Sequence, residues 1–329
     1  YNHQIADVNQ QYYYYVKAIG NDALFSDSNE SSATTNSSQL IDYINADYAT
    51  VLSENEIEIS FTIAPNTITQ VYKLVRSTSL TENFDTISEF SGNQSNIIHI
   101  DNIEPTTIYY YQLIAKDSCN FKVGQSNIAS NILLTSLVNN SESRVNQLNW
   151  NQYFQWNGNI QNYNIYVSFE NGEFNQIASL SNSESNYNHN ISNYIFDIYN
   201  GTIPKGNFCY YIEANEVNNP YFIDGLSKSN ISCIIQEPII YMPTAFNPFS
   251  NIPENSVFKP KLNFINDYLF IVYSKWGNKV FETTEPSEGW DGKSLFGNLS
   301  MRGTYTYYVR IIDETGKRIE KTGYVNLIY

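Results

Sequence analysis

The sequence predicts an all-β chain of tandem β-sandwiches, and three observations predict it. Apolar and aromatic residues recur with period two in short runs rich in tyrosine and β-branched side chains, as half-buried strands require. No long segment carries the 3.6-residue apolar stripe of an amphipathic helix. A sequence block also recurs. Tyr12-Tyr13-Tyr14-Tyr15-Val16-Lys17-Ala18 is echoed by Tyr109-Tyr110-Tyr111-Gln112-Leu113-Ile114-Ala115 and by Phe208-Cys209-Tyr210-Tyr211-Ile212-Glu213-Ala214, which places Ala18, Ala115 and Ala214 at intervals of 97 and 99 residues. Each block is followed by a Ser-Asn pair: Ser28-Asn29, Ser126-Asn127 and Ser229-Asn230. A period near one hundred, with turn residues between short strands, belongs to an array of sandwiches.

The first copy, residues 1–37, reads as the closing strands of a repeat, because the chain opens in the middle of one. Strand alternation sends two of the rings from Tyr12 to Tyr15 to each face. An outward row of tyrosines could bind glycans, although tyrosine also simply suits a half-buried pleated surface. In the second copy, residues 38–136, Ile57, Ile59 and Phe61 share the core face of one strand, and Glu54, Glu56 and Glu58 share the wet one. Its run Ile103-Glu104-Pro105-Thr106-Thr107-Ile108-Tyr109 resembles the fibronectin type III approach to the penultimate strand. There a tyrosine hydroxyl pins the corner to nearby backbone. The chain is therefore expected to hold immunoglobulin/fibronectin III-like sandwiches.

In the third copy, residues 137–236, the same corner reads Ile203-Pro204-Lys205-Gly206-Asn207-Phe208 and lacks the hydroxyl. Leu148 and Trp150 fall on the second strand, with Trp150 as the core tryptophan, and Trp156 and Tyr163 are expected around the loop that follows. Cys209 and Cys233 fall on the sixth and seventh strands, which pair antiparallel in such a sandwich and bring Cα atoms within disulfide reach. Closing that loop would add about 3 kcal/mol on the loop-entropy model. The alternative is two buried thiols. Cys119 has no obvious partner and reads as an unpaired turn residue. The junctions are expected to be short, near Asn36-Ser37-Ser38, Leu137-Val138-Asn139-Asn140 and Gln236-Glu237-Pro238.

Charge and composition exclude several functions. The formal net charge is −15, and up to Gln236 there are 8 Lys/Arg against 23 Asp/Glu, while from Glu237 onward the two are balanced at 10 each. An acidic array lacks the basic footprint that nucleic acid needs, and like charges oppose self-association. No apolar run is long enough to form a transmembrane segment. The lack of a start methionine or signal peptide is read as the mark of a processed or truncated chain. His3, His99 and His189 lie in different repeats, so no local histidine motif supports a metal or a Ser-His-Asp set. Three cysteines without a Cys-x-x-Cys do not make a zinc site. Nor is there a glycine-rich phosphate loop, so the expectation is a noncatalytic chain without cofactor or metal.

The last domain, residues 237–329, carries the sharpest motifs. Met242-Pro243-Thr244-Ala245-Phe246 is followed by Ser274-Lys275-Trp276-Gly277, then Gly289-Trp290-Asp291-Gly292, and finally Gly323-Tyr324-Val325-Asn326-Leu327-Ile328. Lys275-Trp276-Gly277-Asn278-Lys279 reads as a hairpin turn between strands. The aspartate of Gly289-Trp290-Asp291-Gly292 can accept turn amides, and its tryptophan covers the core edge. In order and spacing these blocks resemble the gliding-motility-associated C-terminal domain, the type B sorting domain of type IX secretion substrates in Bacteroidetes. Two departures stand out. Lysine replaces the family's arginine at Lys275, losing the planar fork. The loop from Asn247 to Ser256 keeps a single carboxylate, Glu254, where the family has an acidic stretch suited to calcium. Its Phe249 and Ile252 are instead candidates for meeting a partner.

The resemblance implies a seven-stranded β-sandwich sorting domain at the end of an exported, cell-surface protein attached to the outer membrane. It implies docking on the type IX translocon and on a PorP-type outer-membrane β-barrel, with a gliding adhesin as the parent and the repeats as a spacer stalk. The expected partner-binding residues are Phe249, Ile252, Lys275, Trp276, Gly277, Trp290, Asp291 and Gly292. The rival reading is the tail of a secreted polysaccharide-degrading enzyme or glycan-binding protein, with its active domain and any extracellular glycan contact upstream.

Overall fold

The computed structural model describes residues 2–3, 10–34, 41–65, 71–92, 94–117, 120–140, 144–195 and 203–329. Cys119 and the junction at Asn36-Ser37-Ser38 lie outside them. Strands make almost all of the regular secondary structure among the described residues, and no helix among them is long and apolar enough to cross a membrane.

The second and third copies share one topology. In the second, Ile44–Ser53, Glu56–Ile63 and Asn96–Asp101 form one sheet in that order, and Lys122–Gln125, Tyr110–Lys116, Val71–Ser77 and Asp85–Ser91 form the other. In the third, Leu134–Asn140, Val145–Trp150 and Asn186–Asn190 face Asn175–Ser181, Asn159–Phe169, Asn207–Val217 and Leu226–Lys228. Period-two alternation places Ile57, Ile59 and Phe61 in the second core and Leu148, Tyr163, Tyr210 and Ile212 in the third. The first copy contributes two short ladders, Gln11–Tyr14 with Ser31–Thr34 and Lys17–Ile19 with Phe25–Asp27.

The recurring Ser-Asn pair has a structural cause. In each copy the serine hydroxyl accepts the amide of the penultimate strand where the last strand breaks step: Val16 N to Ser28 Oγ at 2.8 Å, and Leu113 N to Ser126 Oγ and Ile212 N to Ser229 Oγ at 2.9 Å each. The asparagine then crosses to the opposite sheet. Asn127 Oδ1 accepts Ala46 N and Asn230 Oδ1 accepts Leu134 N, both at 2.7 Å. Buried backbone groups must find partners, and this dipeptide supplies them where the ladder fails.

Cys209 and Cys233 are register partners across the ladder and are joined as a disulfide. The Tyr109 hydroxyl donates to Glu104 O at 3.4 Å at the corner, and Phe208 fills the equivalent place fully buried. One expectation is corrected and another extended. The supposed junction at Leu137–Asn140 lies inside the first strand of the third copy, Leu134–Asn140, which pairs with Val145–Trp150 through a bulge. Paired asparagines read as a loop, but they sit in a strand that the neighbouring ladder already holds. Trp156 packs within its own loop, as expected, and also reaches beyond it. Its indole N–H donates to Asp47 O of the second copy at 2.6 Å, with the ring stacked on Tyr153, so it is a wedge between repeats. Around it Ala49 N donates to the Tyr153 hydroxyl, Ser227 Oγ to Ala49 O and Lys228 N to Thr50 Oγ1.

The last domain packs a pair of strands, Ile239–Tyr241 and Lys261–Asn263, against a five-stranded sheet. That sheet runs in the order Ala245–Phe246, Arg318–Leu327, Gly303–Ile312, Asp267–Tyr273, Lys279–Thr283. Phe264 leaves this domain and is buried in the core of the third copy against Phe208.

Candidate docking surface

Register assigns the two ends of the last domain. Gly303 pairs with Leu327, Tyr273 with Thr306 and Phe246 with Leu327, so the loops beginning at 247, 274, 291 and 328 gather at one end of the sheet. At the other end Asp267 pairs with Ile312 and Ile312 with Arg318. This second end meets the third copy through Phe264, through Asn263 Nδ2 on Tyr194 O at 3.0 Å, and through the ion pair Lys205–Glu314 at 3.0 Å. The first end is therefore distal to the repeats.

Two turns of the same build project from the distal end. In Ser274-Lys275-Trp276-Gly277-Asn278, Ser274 N donates to Asn278 O at 2.8 Å and Gly277 N to Ser274 O at 2.9 Å. In Ser294-Leu295-Phe296-Gly297-Asn298 the equivalent distances are both 2.8 Å. The glycines sit at φ +82° and +80°, the left-handed position that closes a three-residue hairpin loop without a Cβ clash. Each turn thereby holds an aromatic ring outward: Trp276 is 62 % exposed and Phe296 92 %. Lys275 Nζ lies 3.9 Å from the centroid of the Trp276 ring, a cation–π contact that lysine still makes in place of arginine.

The 247 loop adds Phe249, 65 % exposed, and Ile252, also exposed. The Asn247 side chain accepts Phe249 N at 2.9 Å and Ser250 Oγ accepts Ile252 N at 3.1 Å, two local turns that aim the apolar residues outward. Phe249 stands edge-on to Tyr329 at 5.6 Å, and Tyr329 donates to Ser300 O and lies under Arg302. Leu295, Leu299 and Met301 are exposed on the same loop as Phe296. Large apolar side chains grouped at one rigid end, beside Lys275 and Arg302, can bury substantial area on a partner and orient it by charge.

Two of the expected contact residues, Trp290 and Gly292, are corrected. Trp290 is fully buried. Its backbone bridges Phe258 in both directions at 2.9 Å, its ring packs on Tyr305 and Phe246, and its N–H donates to Lys293 O at 2.6 Å. Gly292 is buried too; a Cβ there would stand 2.6 Å from Pro248 Cγ. Asp291 is engaged by its own turn, accepting Lys293 N at 3.0 Å and Lys293 Nζ at 2.7 Å. Burial pushes its carboxyl up, but the hydrogen bonds and charge of Lys293 outweigh that and hold it below its ordinary value. Trp290 and Gly292 build the sandwich, while Phe249, Ile252, Lys275, Trp276, Gly277 and the exposed Asp291 make the distal end. Sequence reasoning missed Leu295, Phe296, Leu299 and Met301. The available signal was the repeated Ser-x-aromatic-Gly-Asn pattern, which marks a turn whose third residue cannot fold inward.

Residues 247–327 match the family model of the CHU_C type IX secretion signal domain. Such a signal implies export of the chain to the cell surface or extracellular space, and contact with the secretion machinery. No curated protein sequence matches the chain. Among solved structures it is similar to a tetra-tandem repeat in the extending region of a large adhesion protein, at 12 % identity over 98 % of this chain and 82 % of that one, with a TM-score of 0.29. It is also similar to the FN1–FN3 domains of chicken CNTN1, at 13 % identity over 87 % and 98 % of the two chains, TM-score 0.22. A third similarity is to pectate lyase Pel3 from Pectobacterium carotovorum, at 15 % identity over 36 % and 33 %, TM-score 0.23. At these scores the likenesses carry no weight for function.

Proposed function

We propose that this chain is the noncatalytic, C-terminal region of a cell-surface adhesin of the gliding type, in which the repeats are a spacer stalk and the last domain docks at the outer membrane through its distal end. The observation that carries this reading is the position of the exposed aromatics. Trp276, Phe249 and Phe296 stand on the end of the sorting domain farthest from the repeats, so a partner could engage them without meeting the stalk. The partner proposed is the translocon together with an outer-membrane β-barrel of the PorP type. The stalk role is supported by the acidic surface of the repeats, which resists self-association, and by the hydrogen-bonded wedge at Trp156. The test is a pull-down of the tagged chain from detergent-solubilised outer membranes, beside a chain lacking residues 237–329. Recovery of a specific outer-membrane protein by the full chain alone is expected. Equal recovery by the shortened chain would place the contact in the repeats and overturn the reading.

A further inference from the structure

The joint between the second and third copies forms an open cleft of about 270 Å³ whose walls come from both repeats. Tyr43 of the second copy and Tyr221 of the third stack across it, centroids 3.9 Å apart and planes 14° from parallel. Tyr221 is held there by its loop, in which Asn219 Oδ1 accepts Tyr221 N at 2.9 Å. Asn219 is itself buried and donates to Glu216 Oε1 at 2.8 Å. The following residue, Phe222, is 97 % exposed at φ +58°, a conformation unusual for a bulky side chain and one that the anchored loop imposes.

The polar lining divides into groups that are spent and groups that are free. Asn127 is spent, with its amide donating to Gln155 O at 2.7 Å and its oxygen accepting Ala46 N and Asn157 Nδ2. Asn157 gives its N–H groups to Asn45 Oδ1 and Asn127 Oδ1, and its own oxygen takes no hydrogen bond from a described residue. Gln125 accepts Lys122 Nζ at 2.9 Å, and its NH2 has no partner among the described residues. The Asp42 carboxylate and the Tyr43 and Tyr221 hydroxyls also have no partner among the described residues. Acceptors, a donor and hydroxyls therefore line the same open cleft beside two rings. That set matches adjacent hydroxyls, which donate and accept at once, on a ring whose C–H face can lie against an aromatic edge. A single carboxylate is too few for a hard cation, and Asp42 within an acidic stalk repels an anion.

We propose that this inter-repeat cleft is a binding site for a neutral saccharide, with Asp42, Gln125 and Asn157 reading hydroxyls and the Tyr43–Tyr221 pair supplying the apolar face. The site is independent of the docking reading, since it involves no residue beyond Tyr221. Because the ligand would touch both copies, its binding would also stiffen the joint.

The test is saturation-transfer NMR followed by titration of the full chain, using neutral mannose and glucose oligosaccharides and a uronic-acid oligomer of similar length as probes. At least one neutral probe is expected to bind weakly, as a shallow, open site dictates, and the uronate is expected not to bind. Tyr221→Ala and Asp42→Ala should each weaken binding by about tenfold, the effect of one lost stacking or charge-assisted contact. Asp42 is exposed and unpartnered, so its variant should melt like the parent and keep the test valid if Tyr221→Ala loosens the joint. Absence of binding by every neutral probe would overturn the proposal. So would binding that Asp42→Ala leaves unchanged, or a preference for the uronate.

Discussion

Three turns with one backbone hydrogen-bond design cap the sorting domain, and they differ in what they hold out. At the distal end Ser274–Asn278 and Ser294–Asn298 present Trp276 and Phe296 to solvent. At the end facing the repeats the turn from Asp313 to Lys317 has the same hydrogen bonds, Asp313 N to Lys317 O and Gly316 N to Asp313 O, both at 3.1 Å, with Gly316 at φ +85°. It presents Glu314 and Thr315 instead; Glu314 pairs with Lys205 of the third copy, and Lys317 with Glu237 at the start of the last domain. The backbone problem is solved identically in all three, so the side chains are free to differ by task. Where the chain meets itself the turn is polar and the apolar contact, Phe264, is buried in the neighbouring copy; at the distal end the apolar residues stay uncovered. Uncovered aromatics on rigid turns cost solubility, and a partner is the physical reason to keep them.

The sharpest way to break the comparison is at the covered end. Phe264→Ala removes a ring from the core of the third copy and should destabilise the chain by about 3 to 4 kcal/mol, measured by urea denaturation followed through tryptophan fluorescence. Acid should loosen the same end. Burial pushes the His189 imidazole down to about 4 from its ordinary 6.5, next to Tyr210 and to Tyr194, which accepts Asn263. Its folded pKa lies below the unfolded one, so the stability is complete above pH 6.5 and is lost as pH falls from there to about 4. That window is worth about 3 kcal/mol, and His189→Gln should flatten it in a pH series of denaturation curves. Opening the Cys209–Cys233 link by the double Ser variant should cost about 3 kcal/mol, because it unties the strand that leads into Gln236 and the last domain from its ladder neighbour. At the uncovered end the effect should be smallest. Trp276→Ser and Phe296→Ser should each shift stability by no more than about 0.5 kcal/mol, since neither ring is in a core.

Much of this was legible in the sequence for local reasons. Alternation at Ile57, Ile59 and Phe61 fixed a strand face, and the Ser-Asn pairs marked the same backbone repair in three copies. What escaped the sequence was set by residues far along the chain. Trp290 in a glycine-flanked turn suits either solvent or core, and what buries it is a bridge to Phe258. Trp156 resembled a loop residue because its acceptor, Asp47 O, belongs to the preceding repeat. Phe264 gave no sign of crossing into another domain's core, where it rests at φ +59° against Phe208. The distal aromatics were half legible: Trp276 through its family motif, Phe296 only through the turn pattern it shares with Trp276.

The most direct test of the docking claim is surface display of the chain in a bacterium with a working type IX system, comparing the parent with the combined variant Phe249→Ser, Trp276→Ser and Phe296→Ser. The expected result is that the variant melts like the parent and yet is lost from the cell surface, accumulating in the periplasm or the medium. Undiminished display of a folded variant would contradict the account and make the distal aromatics bystanders.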